Sequence, residues 1–477
     1  MIAAVGVLWL VVVVVWWRVV GRWRAADPWL WWRRWGVWRT MFRVPVVWSR
    51  ACRASGLAVM VPRGVRLASQ LRDRGNRMPA QRSRPVTGKV LSVSSDECSL
   101  TLHVAMLPGQ TPGEYERAGE GFAHALRVHA VRVSSPQPGR VALRAVGFDP
   151  LERPAAWPAV VRAVRADIAD RAPGDGVLVV PVGIREDGRA WSVDLRQVPH
   201  HLVTGATRSG KSTLTVRLVH ELAGRPVALV GIDAKGGMEL GPLAGRLTAL
   251  ATDQEQASDL ISALRRELGT RTRLCARHGA RSVWDLPDAL RPPVIVVIVD
   301  EIAELLLSAG DRDSKAVAIS CGYGLARLAQ LGAAVGIHLW VCGQRFGSDL
   351  GPGATLIRAQ LAGRVCHRVS DVETAHMTLA GLPPDAMGET VRIPMDLPGV
   401  AVVGDDSGTW YRARSVPVPE DELRARVTAT SPLTPVIPTL TETTTKPPGT
   451  PPETDPDPSP GATPDPGTGT GTAGGEV

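Results

Sequence analysis

Residues Gly205-Ala206-Thr207-Arg208-Ser209-Gly210-Lys211-Ser212 satisfy the phosphate-loop pattern G-x-x-x-x-G-K-[ST] at every fixed position. Such a loop works only where a strand ends and a helix begins, because backbone N–H groups and the helix N-terminus must converge on a phosphate. The flanks meet that demand. Residues 201–204 read as a short buried strand, and residues 214–222 carry apolar side chains at helical spacing. In this arrangement Lys211 reaches the β and γ oxygens of a nucleoside triphosphate such as ATP, the Ser212 hydroxyl ligates Mg2+, and Thr213 closes the run of nucleotide-binding positions.

Read outward from the loop, strands at 227–232, 294–299 and 337–342 alternate with helical stretches at 257–268 and 320–331. That alternation predicts an α/β fold, a doubly wound and mostly parallel sheet whose ligand site lies at the carboxyl ends of its strands. The strand at 294–299 is apolar throughout, as a central strand buried on both faces must be, and it stops at Asp300-Glu301. An acidic residue there holds the metal of a Mg2+–nucleotide, which assigns Asp300 to that role, and Glu301 is placed to take a proton from the attacking water. Gln344 follows the strand at 337–342 and is positioned to polarise that water or sense the γ-phosphate. Asp233-Ala-Lys-Gly-Gly237 reads equally as a simple turn or as an ion pair that steers a neighbouring group. Arg327 and Arg364 are arginines able to reach a γ-phosphate from an adjacent subunit. Arg358, Arg364 and Arg368 read either as pore or interface cations or as a solvated face.

Charge divides the chain. The first ninety residues hold seventeen Lys or Arg against two Asp, a net of +15, so with the whole at +9 the remainder is −6. Ten of the fifteen Trp also precede residue 50. Residues 1–17 are uncharged, and with Arg18 snorkelling residues 1–20 are long enough to span a bilayer, the Arg excess behind them placing the following bulk in the cytoplasm. The predicted organisation is a transmembrane anchor at 1–20, a basic Trp/Arg-rich juxtamembrane linker at 21–90 whose residues 29–38 lie on the inner leaflet, a small α/β module at 91–150, a nucleotide-binding motor at 151–416, and a disordered Pro/Thr/Gly-rich tail at 417–477. The six cysteines form no C-x-x-C pair and read as reduced, mostly buried thiols. No His spacing supports a protein-bound zinc.

Taken together, residues 197–212, 232–237, 297–303, 326–330, 336–339 and 343–345 resemble the FtsK/SpoIIIE family of DNA translocases, in the right order and over about residues 176–415. The resemblance implies a RecA-like P-loop NTPase that assembles as a homo-hexamer and threads double-stranded DNA through its pore at the expense of ATP, anchored at a cell membrane. It implies phosphate and Mg2+ binding by Lys211 and Ser212, metal binding by Asp300, base catalysis by Glu301 and a trans-acting finger at Arg327. A membrane-bound motor of this length looks most like the Tra-type transfer proteins of conjugative elements. The alternatives within the family are a secretion-type ATPase that moves proteins, against which the single phosphate loop argues, and a chromosome-segregation translocase. Arg208 stands where many members have Gly, Ala333 where many have Arg, and no winged-helix DNA reader follows residue 415, so a separate DNA-recognition or transfer-accessory protein is expected.

Overall fold

The computed structural model describes residues 26–62, 83–152 and 178–444, less 309, 352 and 405–407, together with single residues 22, 162 and 166. The anchor expected at 1–20 falls outside them. Among the described residues no helix is long and apolar enough to cross a membrane.

The N-terminal region builds one module around tryptophan. Strands β1 (Val59–Pro62) and β2 (Ser83–Val86) pair antiparallel. Strands β3 (Lys89–Ser95), β4 (Ser99–Ala105), β5 (Ala130–Gln137) and β6 (Arg140–Val146) form an antiparallel sheet in the order β3-β4-β6-β5. The helices Pro112–Arg117, Gly119–Leu126 and Val37–Ala54 bring apolar side chains to its core. Residues 28–54, assigned by composition to a linker, are therefore part of this core. Trp29, Trp31 and Trp32 are 8%, 7% and 1% exposed, so the interfacial segment expected at 29–38 turns only part of its aromatic surface outward. Trp48 stacks on Phe122 at 5.4 Å and donates its indole N–H to Gly88 O at 2.8 Å, which gives a large apolar ring its one polar partner. Trp32 lies so close to Gly147 that any β-carbon there would overlap its ring, at 2.0 Å.

From Val179 onward the chain builds a ten-stranded mixed sheet. In chain order its strands are β7 (Val179–Arg185), β8 (Ala190–Asp194), β9 (His200–Thr204), β10 (Val227–Ile232), β11 (Ala249–Ala251), β12 (Val294–Val299), β13 (Ile337–Gly343), β14 (Gly363–His367), β15 (Val400–Gly404) and β16 (Trp410–Ser415). Their spatial order is β11-β10-β12-β13-β9-β14-β15-β16-β7-β8. The six strands from β11 to β14 run parallel, and the last four are antiparallel. Alternate residues of β10, β12 and β13 sort onto two faces. Val230, Val297 and Leu339 face the helices Gln254–Arg277 and Arg312–Leu331, while Leu229, Val296 and Trp340 face the helix Lys211–Ala223. Two buried faces explain why these strands carry no polar alternation.

Of the stretch expected to be a disordered tail, residues 417–444 are described and ordered. Helix Glu420–Thr430 packs Leu423 and Val427 on one face of the sheet, and Ile437 and Leu440 bury on the other. Between them Thr248 donates to Pro435 O at 3.1 Å, so the chain wraps the sheet edge beside β11. Four buried apolar side chains spaced through Pro/Thr-rich sequence are enough to hold it, although average composition hides them. All six cysteines are free and buried, in agreement with the sequence.

Candidate active site at the strand ends

Strand order explains the site. β13 lies between β9, which feeds the phosphate loop, and β12, which ends in Asp300-Glu301. Gln344, next after β13, therefore sits between the two. The helix Lys211–Ala223 begins at the loop's lysine and is locked onto β13 where Trp340 Nε1 donates to Thr215 Oγ1 at 3.1 Å.

The loop is shaped by glycines and by two supports. Gly205 and Gly210 have φ of 156° and 111°, and a β-carbon on Gly210 would stand 2.3 Å from Gly399 N. Gly399 N donates to Ser209 O and Ala206 N donates to Arg368 O, both at 2.9 Å, so the segments flanking the β14–β15 connection clasp the loop from outside. Residues Ala206 and Arg208 through Thr213 line a cleft of about 140 Å³ with Pro398. Larger clefts of about 520 and 570 Å³ lie on the N-terminal module, but the groups able to bind phosphate converge on the smaller one. Thr207 is exposed at the loop's crest. Arg208 is exposed with φ 60°, a left-handed conformation that costs a residue with a β-carbon about 1–2 kcal/mol. That backbone geometry gives a physical reason for glycine at this position.

Charges at the mouth are paired in a chain. Lys211 Nζ donates to Gly205 O at 2.5 Å and to Ala206 O at 3.4 Å. Burial lowers its pKa, opposed chiefly by Glu301 and also by Cys342 and Asp300. Glu301, 8% exposed, accepts from Gln344 N at 3.2 Å through one oxygen, and its other oxygen lies 3.6 Å from Lys235 Nζ. Asp300 is pushed up to about 6, first by burial and then by Asp233 and Glu239, against the pull of Lys235. A carboxyl carrying that surplus negative potential, with the Ser212 hydroxyl in the loop, is a hard-oxygen donor set suited to Mg2+. Asp233 is fully buried and accepts from Glu239 N at 2.8 Å and Leu240 N at 3.0 Å, so it builds the turn, whereas Lys235 joins the site.

The arginines separate. Arg327 is exposed on the helix Arg312–Leu331. Arg364 is 8% exposed on β14 and donates to Arg358 O at 3.0 Å, which does not present it to an adjacent subunit. Arg358 donates to Phe346 O at 2.9 Å, and Arg368 is half-buried. Pro398 and Gly399 are what sequence reading passed over, and Lys235 was read only as part of a turn or of an ion pair that steers a neighbouring group. For Lys235 the signal was the Asp-Ala-Lys-Gly-Gly turn at the end of a buried strand, while nothing in 398–399 alone points to a loop two hundred residues away.

The profile of the actinomycete conjugal transfer protein N-terminal domain matches residues 15–147, and that of the FtsK/SpoIIIE family matches residues 160–290 and 285–348. The first match spans the tryptophan-rich helices and the four-stranded sheet together. Transfer protein TraSA of Streptomyces ambofaciens is 40% identical over 396 residues, covering 81% of this chain and 90% of its own. The DNA translocase SpoIIIE of Bacillus subtilis is 28% identical over 270 residues, 53% of this chain and 32% of its own length. Among solved structures, the monomer of the pCW3 conjugation coupling protein TcpA with ATPγS aligns with a TM-score of 0.50 at 18% identity, over 72% of this chain and 93% of that one.

Proposed function

The chain belongs to the FtsK/SpoIIIE family and is an ATPase of that family, and from that premise we propose that it is a membrane-anchored motor that moves double-stranded DNA during conjugative transfer. The observation that carries this reading is the ledge formed by adjacent strands β9, β13 and β12, whose ends bring Lys211, Gln344 and Asp300-Glu301 to one edge of the sheet.

Each residue has a task that follows from its position. The N–H groups at the start of helix Lys211–Ala223 and the Lys211 ammonium bind the β- and γ-phosphates. Ser212 and Asp300 would hold Mg2+, which when bound neutralises charge on the phosphate oxygens. Glu301 accepts the proton of a water whose oxygen attacks the γ-phosphorus, as the bond from that phosphorus to the β-phosphate oxygen breaks. The Gln344 backbone N–H fixes one Glu301 oxygen at 3.2 Å, and Lys235 restrains the other. In a homo-hexameric ring Arg327 is the finger offered to the neighbouring site.

The test is ATP turnover of the chain from residue 26 onward, a start that keeps the tryptophan core whole. Duplex DNA is expected to stimulate hydrolysis. Turnover indifferent to DNA but raised by a secreted polypeptide would transfer the assignment to a protein-moving ATPase.

A further inference from the structure

The helical segment 28–54 has two apolar faces. One, with Trp32, Val44, Trp48 and Cys52, is inside the module. The other carries Trp35, Trp38, Phe42 and Val46, which are 51%, 54%, 69% and 70% exposed. Steps of three, four and four residues align them on one side of the helix. The Trp38 and Phe42 rings stack at 6.5 Å, so they form a ridge. An exposed apolar row of this length marks an interaction surface.

Charge identifies the partner. Between Pro28 and Ala54 there are six arginines, Arg33, Arg34, Arg39, Arg43, Arg50 and Arg53, and no Asp or Glu. Five of them are exposed and Arg43 is half-buried. Tryptophan settles at the headgroup level of a bilayer, and arginine pairs with lipid phosphate. Duplex DNA would match the arginines but leave the apolar ridge in water, and a second copy would set six like charges against six. The uncharged run 1–17 also lies only ten residues ahead of Pro28 in sequence.

We propose that this face lies flat in the interface of an anionic bilayer, with the aromatic ridge among the acyl chains and the arginines on the headgroups. The face is a contact separate from any spanning segment, and it fixes the orientation of the N-terminal module to the membrane plane.

The experiment places an environment-sensitive fluorophore on Trp38→Cys in the full chain, the six native thiols being buried. The chain is reconstituted into phosphatidylcholine vesicles with or without phosphatidylglycerol, and quenching by spin-labelled lipid is read. Quenching is expected to be strong at 38, several-fold weaker for the same label on Met395→Cys, which is 78% exposed on the motor, and reduced when phosphatidylglycerol is omitted. Replacing Arg33, Arg34 and Arg39 with Gln should lower the quenched fraction, each arginine near an anionic surface being worth about a fivefold change in partitioning. Val46→Cys gives the same readout if the first variant does not fold, and retained ATP turnover certifies folding. Equal quenching at 38 and 395 in both vesicles would overturn the proposal, as would protection of position 38 by duplex DNA or its disulfide cross-linking to a second copy without lipid quenching.

Discussion

β9 and β13 lie side by side, and their two ends treat polar groups in opposite ways. At the carboxyl ends the strands open into glycine-shaped loops, where Lys235 lies 3.6 Å from Glu301 and the Lys211 ammonium stands in the field of Glu301 and Asp300. At the amino ends His200, His201 and His338 are enclosed, and burial pushes their pKa values down to about 4, 3 and 3. The His201 ring lies 5.1 Å from that of Trp340, and the positive charge of Arg271 further disfavours a proton on His338. One end is an assembly of charges, and the other a floor that stays neutral. The difference teaches that the site's electrostatics are made by the loops, while the strands serve as a dry support.

The comparison breaks most severely if the charges at the open end are removed. Lys211→Ala should lower turnover by about 10²–10³-fold, because a preorganised cation facing the phosphates is lost. Glu301→Gln should slow hydrolysis by about 10²–10⁴-fold while nucleotide binding persists, since the proton acceptor goes and the phosphate contacts stay. Steady-state ATP turnover and equilibrium binding of a fluorescent ATP analogue separate the two. Unchanged turnover in Glu301→Gln would remove this residue from the base role.

A second way to break it leaves every charge in place. Gly210→Ala puts a β-carbon 2.3 Å from Gly399 N at a φ of 111°, so either the loop or its clasp must shift. Strain of this kind costs about 1–3 kcal/mol before the overlap is counted. The expected outcome is lost nucleotide binding with the histidine floor intact, read as a lowered melting temperature that ATP no longer raises.

Acid attacks the other end. A buried imidazole with a lowered pKa favours the fold fully above the ordinary value of 6.5, and that stability is lost as pH falls towards the folded value, because below 6.5 the unfolded chain takes up protons that the native one refuses. The slope is up to about 1.4 kcal/mol per pH unit for each imidazole between 6.5 and about 4. His201→Phe should flatten the decline of chemical-denaturation stability across that window by up to one such slope. An unaltered slope would show that His201 is not held neutral.

The ten-stranded sheet was legible because its signals are local. Apolar runs bounded by Pro, Gly and charged residues gave β10 and β12 to the residue, and the stripe Ala257, Leu260, Ile261, Leu264 and Leu268 is wholly buried as its spacing predicts. The phosphate loop, Asp300-Glu301 and Gln344 were likewise readable as residues at strand ends. What escaped depends on contacts far apart in sequence. Gly399, just before β15 and two strands away from β9, supports Ser209, and Lys235 finds Glu301 only once β10 and β12 pair. Composition misled where it averaged over both faces of one helix. Tryptophan and arginine in 28–54 suggest membrane throughout, yet Trp32 and Trp48 belong to the module's core, and the Pro/Thr-rich stretch after 417 hid Leu423 and Leu440.

The smallest expected effect sharpens the comparison at the loop itself. Arg208 is one of two described non-glycine residues with positive φ, and it is exposed, so its side chain offers no packing that offsets the strain. Arg208→Gly should relieve about 1 kcal/mol in the folded loop, partly offset by glycine's greater freedom in the unfolded chain, and leave a net change in melting temperature of a degree or two at most. Removing a cation beside the phosphates should at the same time weaken nucleotide binding modestly and make it less sensitive to salt, with the rate at saturating ATP retained. If affinity and its salt dependence are both unchanged, Arg208 contributes only a surface charge, and the electrostatics of the open end rest on Lys211, Lys235 and the two carboxylates alone.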